Sequence, residues 1–542
     1  MSASKKKKLR TEGTEKLTER QLAEQKEAKK VKLYSIAFAV VMAVLVVVAL
    51  VVGVNRSIQA SGIHEKKTIA ATVGEHSISN AELSYYYTDY INNYANTYGS
   101  YLSMFGIDST VALDKQTYSE ETGETWADYF VSEATSSAQS AYALADAAAA
   151  EGFALPQEQQ EQLELMSNNL DSYASIYGYS DANAFLKAQY GNGASKESYL
   201  EYYQRNLLAS AYQTHHQDGL TYSDEQIREA DKANPAKYSS YSYAQYYIPV
   251  SKFLTGGTTD AEGNTTYTAA EREAAIAAAK EAIAPLTDSS ITTVEALDKA
   301  IAAMEINAET ENVASTVYTN QASTSINSYL TGWVTASSRA EGDITCVEIP
   351  GTVQDENGQD LETINAFYVV LFNGKNDNLT ELVNVRHILI GFDGEAQEDG
   401  TYSDEVKEAA RTSAEEALNE WKSGDATEES FAALAESKST DTGSNTNGGL
   451  YENVYPGQMV QTFNDWCFDS NRKPGDTGIV ETSYGYHVMY FVGTTGQTYR
   501  DYQIVNDLRN ADMESWYQGL LSNCTVTKGD TSYIKKDIVL SK

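Results

Sequence analysis

The chain has 542 residues, 42% of them hydrophobic and 21% charged, with a formal net charge of −36. That length exceeds what one hydrophobic core holds, so about two to four domains are expected. The acidic body argues against nucleic acid as partner, because phosphate binding needs clustered Lys and Arg. Three cysteines (Cys346, Cys467 and Cys524), none in a C-x-x-C pair, exclude a disulfide framework and argue against a zinc site or redox motif.

The charge is uneven. Residues 1–32 hold 11 of the 40 basic and 5 of the 76 acidic residues, which leaves 29 and 71 for the rest. This basic tail (1–32) precedes an uncharged run, 33–54, that opens at Leu33 and closes at Val54. At a helical rise of 1.5 Å the run measures about 33 Å, against a hydrocarbon core of about 30 Å. The positive-inside rule puts the tail in the cytoplasm and everything after Val54 outside, as a single-pass membrane protein. A cleaved signal peptide is the rival reading. Its apolar core is usually about 7–15 residues, and the residues before Ser61 make a poor cleavage site. With no Cys after the run, a lipoprotein is not expected.

Beyond the anchor, TIAATV (68–73) reads as a strand. Ser79 and Glu82 form a capping-box pattern that starts a helix. Helices are expected at 126–150, from Pro156 to about Ile176, at 181–190, at 196–217, and from Ser223. This helical block, 68–237, is rich in Tyr, as in YYYTDY and YLEYYQ. Tyr at helical spacing is either core packing or an adaptable groove, since Tyr gives large area with a polar tip.

Around Tyr238 the pattern changes to short strands alternating with helices, and it occurs twice. The first copy (238–377) opens with AQYYIPV (244–250). It continues with helices at 268–286 and 293–304 and closes with Gly342-Asp-Ile-Thr-Cys-Val-Glu and YVVLFNG (368–374). The second (381–495) opens with VRHILI (385–390). Its helices fall near 403–423 and 427–437, and it closes with Gly475-Asp-Thr-Gly-Ile-Val-Glu and HVMYFVG (487–493). The closing strands align Tyr368 with His487 and Gly374 with Gly493, and Tyr246 or Tyr247 is expected in the place of His387. The segment 500–542 reads as one helix and a final strand, SYIKKDIVL, that dock on the helical block.

The second copy resembles the parvulin family of peptidyl-prolyl isomerases. The features in register are VRHILI, Gly424, FAALAESKSTD (431–441), Gly448-Gly449-Leu450, the G-Q-M-V-x-x-F stretch (457–463), Lys473 to Gly478, and Thr482 to His487. The resemblance implies that His387 and His487 are the paired central histidines and that Asp441 faces the imide. It also implies that Thr482 bonds the histidine pair and that Leu450, Met459 and Phe463 hold the proline ring. Tyr484 stands where some members have Ser. The first copy, without either histidine, resembles the family in outline only and is expected to be catalytically degenerate. By its layout, the block 68–237 completed by 500–542 resembles the chaperone module of SurA-like and PrsA-like extracytoplasmic foldases.

The expected architecture is therefore α+β and multidomain: one transmembrane helix, a mainly helical chaperone-like module, and two antiparallel-sheet parvulin-like domains. The expected partners are unfolded or newly secreted polypeptides with X–Pro bonds, and the membrane. Neither metal nor cofactor is expected, because amide rotation, with a barrier of about 18–20 kcal/mol, makes and breaks no bond. The plain alternatives stay open. A His on an apolar strand is commonly a satisfied core residue, and Met459 and Phe463 at i, i+4 fit a helix core. A non-catalytic holdase that uses both sheets as binding modules is the competing function.

Overall fold

The computed structural model describes residues 41–540 apart from 43, 55, 260, 262, 264, 355–359, 398 and 399. The expected cytoplasmic tail and residues 33–40 of the expected anchor lie outside the described residues. Residues 41–42 and 44–54 are helical, and their Val and Leu side chains are exposed. Among the described residues no helix is long and apolar enough to cross a membrane.

The chain forms two compact units. One combines residues up to Leu220 with Asp512–Lys542; the other is Thr221–Ala511. In chain order the first contains α1 (Ile63–Lys67), β1 (Ile69–Val73), β2 (His76–Ser79), α2 (Asn80–Tyr98), α3 (Trp126–Ala150), α4 (Gln157–Ile176), α5 (Ala182–Tyr190) and α6 (Lys196–Gly219). The second begins with α7 (Asp224–Ala233), β3 (Ser240–Pro249) and the short pair β4 (Thr258–Thr259) and β5 (Thr265–Thr266). It continues through α8 (Ala269–Ile283), α9 (Val294–Ala302), β6 (Thr316–Ala322), α10 (Ser328–Val334), β7 (Ile344–Gln354) and β8 (Asp360–Asn376). Next come β9 (Glu381–Gly391), α11 (Asp404–Ser423), α12 (Glu428–Lys438), β10 (Leu450–Val454), α13 (Gln461–Cys467), β11 (Thr477–Thr482) and β12 (Gly485–Thr498). The chain ends with α14 (Tyr499–Asn523) and β13 (Val526–Lys528).

In the first unit, side-chain caps fix the helix starts. Thr125 and Asp128 form a full capping box on α3, while Asp181 and Ser195 cap α5 and α6. The box expected at Ser79 is only half made. Ser79 accepts the Glu82 N–H, but the Glu82 carboxylate takes hydrogen bonds from Arg205 (2.7 Å) and Tyr142 (2.6 Å) instead. A cation and a buried phenol outcompete one backbone amide. Tyr85, Tyr86, Tyr87, Tyr199 and Tyr202 are buried in the core with Phe130, so much of the tyrosine pattern is packing. The expected final strand is not a strand. Among the described residues 532–540 have no regular structure, and β13 lies earlier, paired with β1 through Ala71 and Lys528. The apolar residues that made SYIKKDIVL look β-like do other work: Ile534, Ile538 and Leu540 pack against the core.

The second unit contains two four-stranded antiparallel sheets with the same strand order, β6-β3-β8-β7 and β10-β9-β12-β11. In each, α8 and α9, or α11 and α12, cover one face, and a single short helix, α10 or α13, covers the other. The pairing superimposes them strand for strand. Tyr243 faces Phe372 as Val385 faces Phe491, and Val347 faces Tyr368 as Val480 faces His487. The same register corrects the expected replacement for His387. His387 faces Met489, and its counterpart facing Val370 is Gln245, not Tyr246 or Tyr247. Tyr247 pairs instead with Tyr368, their rings 5.1 Å apart. The two sheets differ at one end: β7 and β8 run on to the pair Gln354 and Asp360, whereas β11 and β12 close at Thr482 and Gly485. The helix expected to reach Leu286 stops at Ile283, because Pro285 cannot continue an α-helical ladder and a 3₁₀ turn follows.

Candidate active site

Strand alternation decides which side chains meet on the second sheet. On the face covered by α13, Val385, His387, Met489 and His487 stand side by side. The loop between α12 and β10 then brings Asp441 to them. The Ser439 hydroxyl accepts the Leu389 N–H at 3.0 Å and Thr440 N–H bonds the Leu389 carbonyl at 2.9 Å, lacing the loop to β9. The loop returns through Gly448 and Gly449, both at positive φ. A Cβ on Gly449 would lie 2.1 Å from the His387 carbonyl oxygen, so only glycine lets the chain pass there. Arg386, on the opposite face, holds this turn by donating to the carbonyls of Asn447 and Gly448, each at 3.0 Å, and to Glu428 at 2.9 Å.

The polar residues form one chain of hydrogen bonds. Asp441 Oδ2 lies 2.9 Å from His387 Nε2, His387 Nδ1 lies 2.9 Å from His487 Nδ1, and His487 Nε2 lies 2.9 Å from Thr482 Oγ1. The proton positions follow from the ends. An ionised carboxylate only accepts, so His387 carries its proton on Nε2 and accepts at Nδ1. His487 therefore donates from Nδ1 and accepts at Nε2, and the Thr482 hydroxyl donates to it. Thr482 in turn accepts the Tyr484 N–H at 3.1 Å, so the main chain of Tyr484 serves the network while its side chain is exposed.

The electrostatics fit this pattern. Burial pushes the His487 imidazole down to about 4, with the neighbouring His387 adding to the fall. Burial also lowers His387, outweighing the bond to Asp441. Both rings are thus neutral near pH 7, and the contact of His387 with Asp441 is a hydrogen bond between a neutral ring and an anion. Burial by itself would raise the Asp441 carboxyl. Bonds from Ser444, Tyr451, the Gly443 N–H and His387 together reverse that and hold it at about 2. The result is one fixed negative charge, 19% exposed, beside a neutral imidazole pair.

The apolar part is built differently from the expected set. Phe463, buried at 2%, is a floor, its ring edge-on to His387 (5.6 Å) and His487 (5.3 Å). Met459 packs half-buried against the same cluster, but from the loop before α13, so the two are not successive turns of one helix. Leu450 is not there. It pairs with Arg386 and belongs to the opposite face, while Tyr451, one residue on, pairs with Val385 and stacks on His387 at 4.9 Å. Sequence reasoning missed Tyr451 and Ser444. The signal for Tyr451 was strand alternation after the Gly pair. Ser444 was hidden in a uniformly polar loop. Among the described residues no cluster of three or more His, Cys, Asp or Glu side chains is arranged to hold a metal ion.

A four-stranded antiparallel sheet with a His pair, an acid on a Gly-closed loop and an aromatic floor defines a parvulin-type domain. Residues 369–493 match the family model of the PPIC-type PPIASE domain and form such a domain. The chain is similar to Foldase protein PrsA 1 of Listeria innocua, 43% identical over 67 residues, which are 12% of this chain and 23% of that protein. The match to Foldase protein PrsA of Exiguobacterium sibiricum is 37% identical over 59 residues, covering 11% and 19% of the two chains. The chain thus spans about a quarter or less of the length of the curated relatives it matches. Among solved structures, PrsA of Bacillus subtilis is matched at 25% identity and a TM-score of 0.18, over 27% of this chain and 50% of that one. A structure reported with two SurA-like chaperones of Campylobacter jejuni is matched at 14% identity and a TM-score of 0.15, over 85% and 99%.

Proposed function

We propose that the chain is a membrane-anchored extracytoplasmic foldase that catalyses cis/trans isomerisation of X–Pro bonds in secreted polypeptides and also holds unfolded chains. The domains on this reading are a cytoplasmic tail (1–32), an anchor (33–54), a chaperone-like module (68–237 with 500–542), a degenerate parvulin-like domain (238–377) and the isomerase (381–495). The observation that carries it is the chain from Asp441 through His387 and His487 to Thr482, laid over Phe463 with Met459 beside it. A planar amide has charge separation that is lost when the bond twists. A dry aromatic floor that grips the prolyl ring favours the twisted state, and the fixed Asp441 carboxylate responds to the changing polarity of the imide. The neutral histidines hold that carboxylate in place and attack nothing. For the anchor, support comes from the uncharged run, the basic flank and the exposed apolar helix at 44–54.

The test is a proline tetrapeptide exchange assay on the full chain. Wild type accelerates exchange, and Asp441→Ala or His387→Ala lowers kcat/KM at least about tenfold, or about 1.4 kcal/mol, with the circular dichroism spectrum unchanged. The holdase reading is favoured by the first sheet, which has Gln245 and Tyr368 where the second has its histidines. Equal rates for wild type and both variants, with client aggregation still suppressed, would establish it instead.

A further inference from the structure

Asp441 sits on a loop, and most of what holds it sits on the same loop. Ser444, three residues on, donates to Oδ2 at 2.5 Å, and the Gly443 N–H donates to Oδ1 at 3.1 Å. Ser439 and Thr440 lace the start of the loop to β9 and Ser444 Oγ also lies 3.1 Å from His387 Nε2, but none of these contacts ties the Asp441 carboxylate itself to the sheet. Two donors come from outside: His387 and Tyr451, whose hydroxyl donates to Oδ2 at 2.8 Å. We propose that Tyr451 is the positioning residue of this site, its hydroxyl tying the loop carboxylate to the sheet so that turnover, and not peptide binding, depends on it.

Three observations carry this. Tyr451 is set by its strand, since β10 pairs it with Val385. Its ring lies nearly parallel to the His387 imidazole, at 19°, and edge-on to Phe463 at 6.4 Å, so it has little freedom to swing the hydroxyl away. The first sheet supplies a natural comparison. Tyr318 occupies the same register position there, paired with Tyr243, and its hydroxyl lies 3.3 Å from the Nε2 of Gln245, the counterpart of His387. An edge-strand tyrosine thus contacts the central polar residues in both sheets, and only in the second is its partner an acid. This inference rests on the isomerase reading for its consequence but not for its geometry.

The experiment is Tyr451→Phe in the full chain, which keeps the ring and removes the hydroxyl. In the tetrapeptide assay kcat falls about fivefold to tenfold while KM stays within about twofold, and the acid limb of the kcat profile moves to higher pH. In the background of Asp441→Asn the same change has no further effect, as a residue that acts through Asp441 requires. Wild-type kcat with an unmoved acid limb, or a full additional loss in the Asp441→Asn background, overturns the proposal. Should the wild type show no isomerase activity, the isomerase reading fails and the tie is judged alone by the Asp441 carboxyl resonance in 13C-aspartate-labelled protein. Tyr451→Phe must raise the pH at which it titrates, and an unmoved titration overturns the proposal.

Discussion

The two sheets of the second unit are one scaffold with two different insides. Register equates Gln245 with His387, Tyr368 with His487, Ile349 with Thr482, and Tyr318 with Tyr451. The floor is equated as well: Leu330 on α10 and Phe463 on α13 are both buried against the same face of their sheets. The apolar positions under each floor are kept apolar, Tyr243 and Phe372 in the first sheet and Val385 and Phe491 in the second. Each member of the hydrogen-bonded chain on β9, β11 and β12 is replaced, and by residues that cannot pass a hydrogen bond from a hydroxyl through two rings to an acid. Fold and hydrogen-bonded chain are therefore separable here, because both sheets keep a floor and a ladder while the four side chains in series occur only in the second.

The strongest test of the shared scaffold is to remove the floor on each side. Phe463→Ala is expected to destabilise by about 3–5 kcal/mol and Leu330→Ala by about 2–5 kcal/mol, read by denaturant unfolding. A small cost for Leu330 alone would mean the first sheet is not built on the same plan. The next test separates the sheets by pH. The folded His487 value of about 4 lies below the unfolded value of about 6.5, so its contribution is complete above pH 6.5 and is lost as pH falls toward 4. That loss is about 3 kcal/mol, and hydrogen exchange should show amides of β9 and β12 losing protection between pH 7 and 4.5. Amides of β3 and β8, which contain no histidine, should hold theirs; equal loss in both would unseat the assignment. A smaller effect is expected from rebuilding the pair. Gln245→His with Tyr368→His should raise the isomerase rate of the chain by less than about twofold, because Ile349 offers no donor where Thr482 does. The smallest effect is expected at Leu450→Ala, below about 1 kcal/mol in stability and with kcat/KM unchanged, because Leu450 lies on the face away from the histidines.

What the sequence disclosed and what it concealed divide along the same physical line. The repeat was legible because turn glycines and alternating strands recur around Gly342 and Gly475. The histidine pair was legible because two of only six histidines fall at the two positions where the resemblance to the parvulin family implies its paired histidines. Register was not legible. Composition does not reveal a slip of one or two residues, and such slips put Tyr246 or Tyr247 in place of Gln245 and Leu450 in place of Tyr451. The tail failed for another reason. The apolar residues of SYIKKDIVL suggest a strand, but among the described residues they pair with none, and Ile534, Ile538 and Leu540 pack against the core of the first unit instead.

The pairing of β1 with β13 has a consequence for synthesis. Val73 meets Val526, so the small sheet of the first unit joins residues at opposite ends of the chain. A ribosome delivers Thr221–Ala511 whole before it delivers β13, so the middle of the chain can finish folding while its beginning still waits. Premature termination anywhere before Val526 would leave β1 as an open edge and the first unit unfinished, however intact the rest of the molecule.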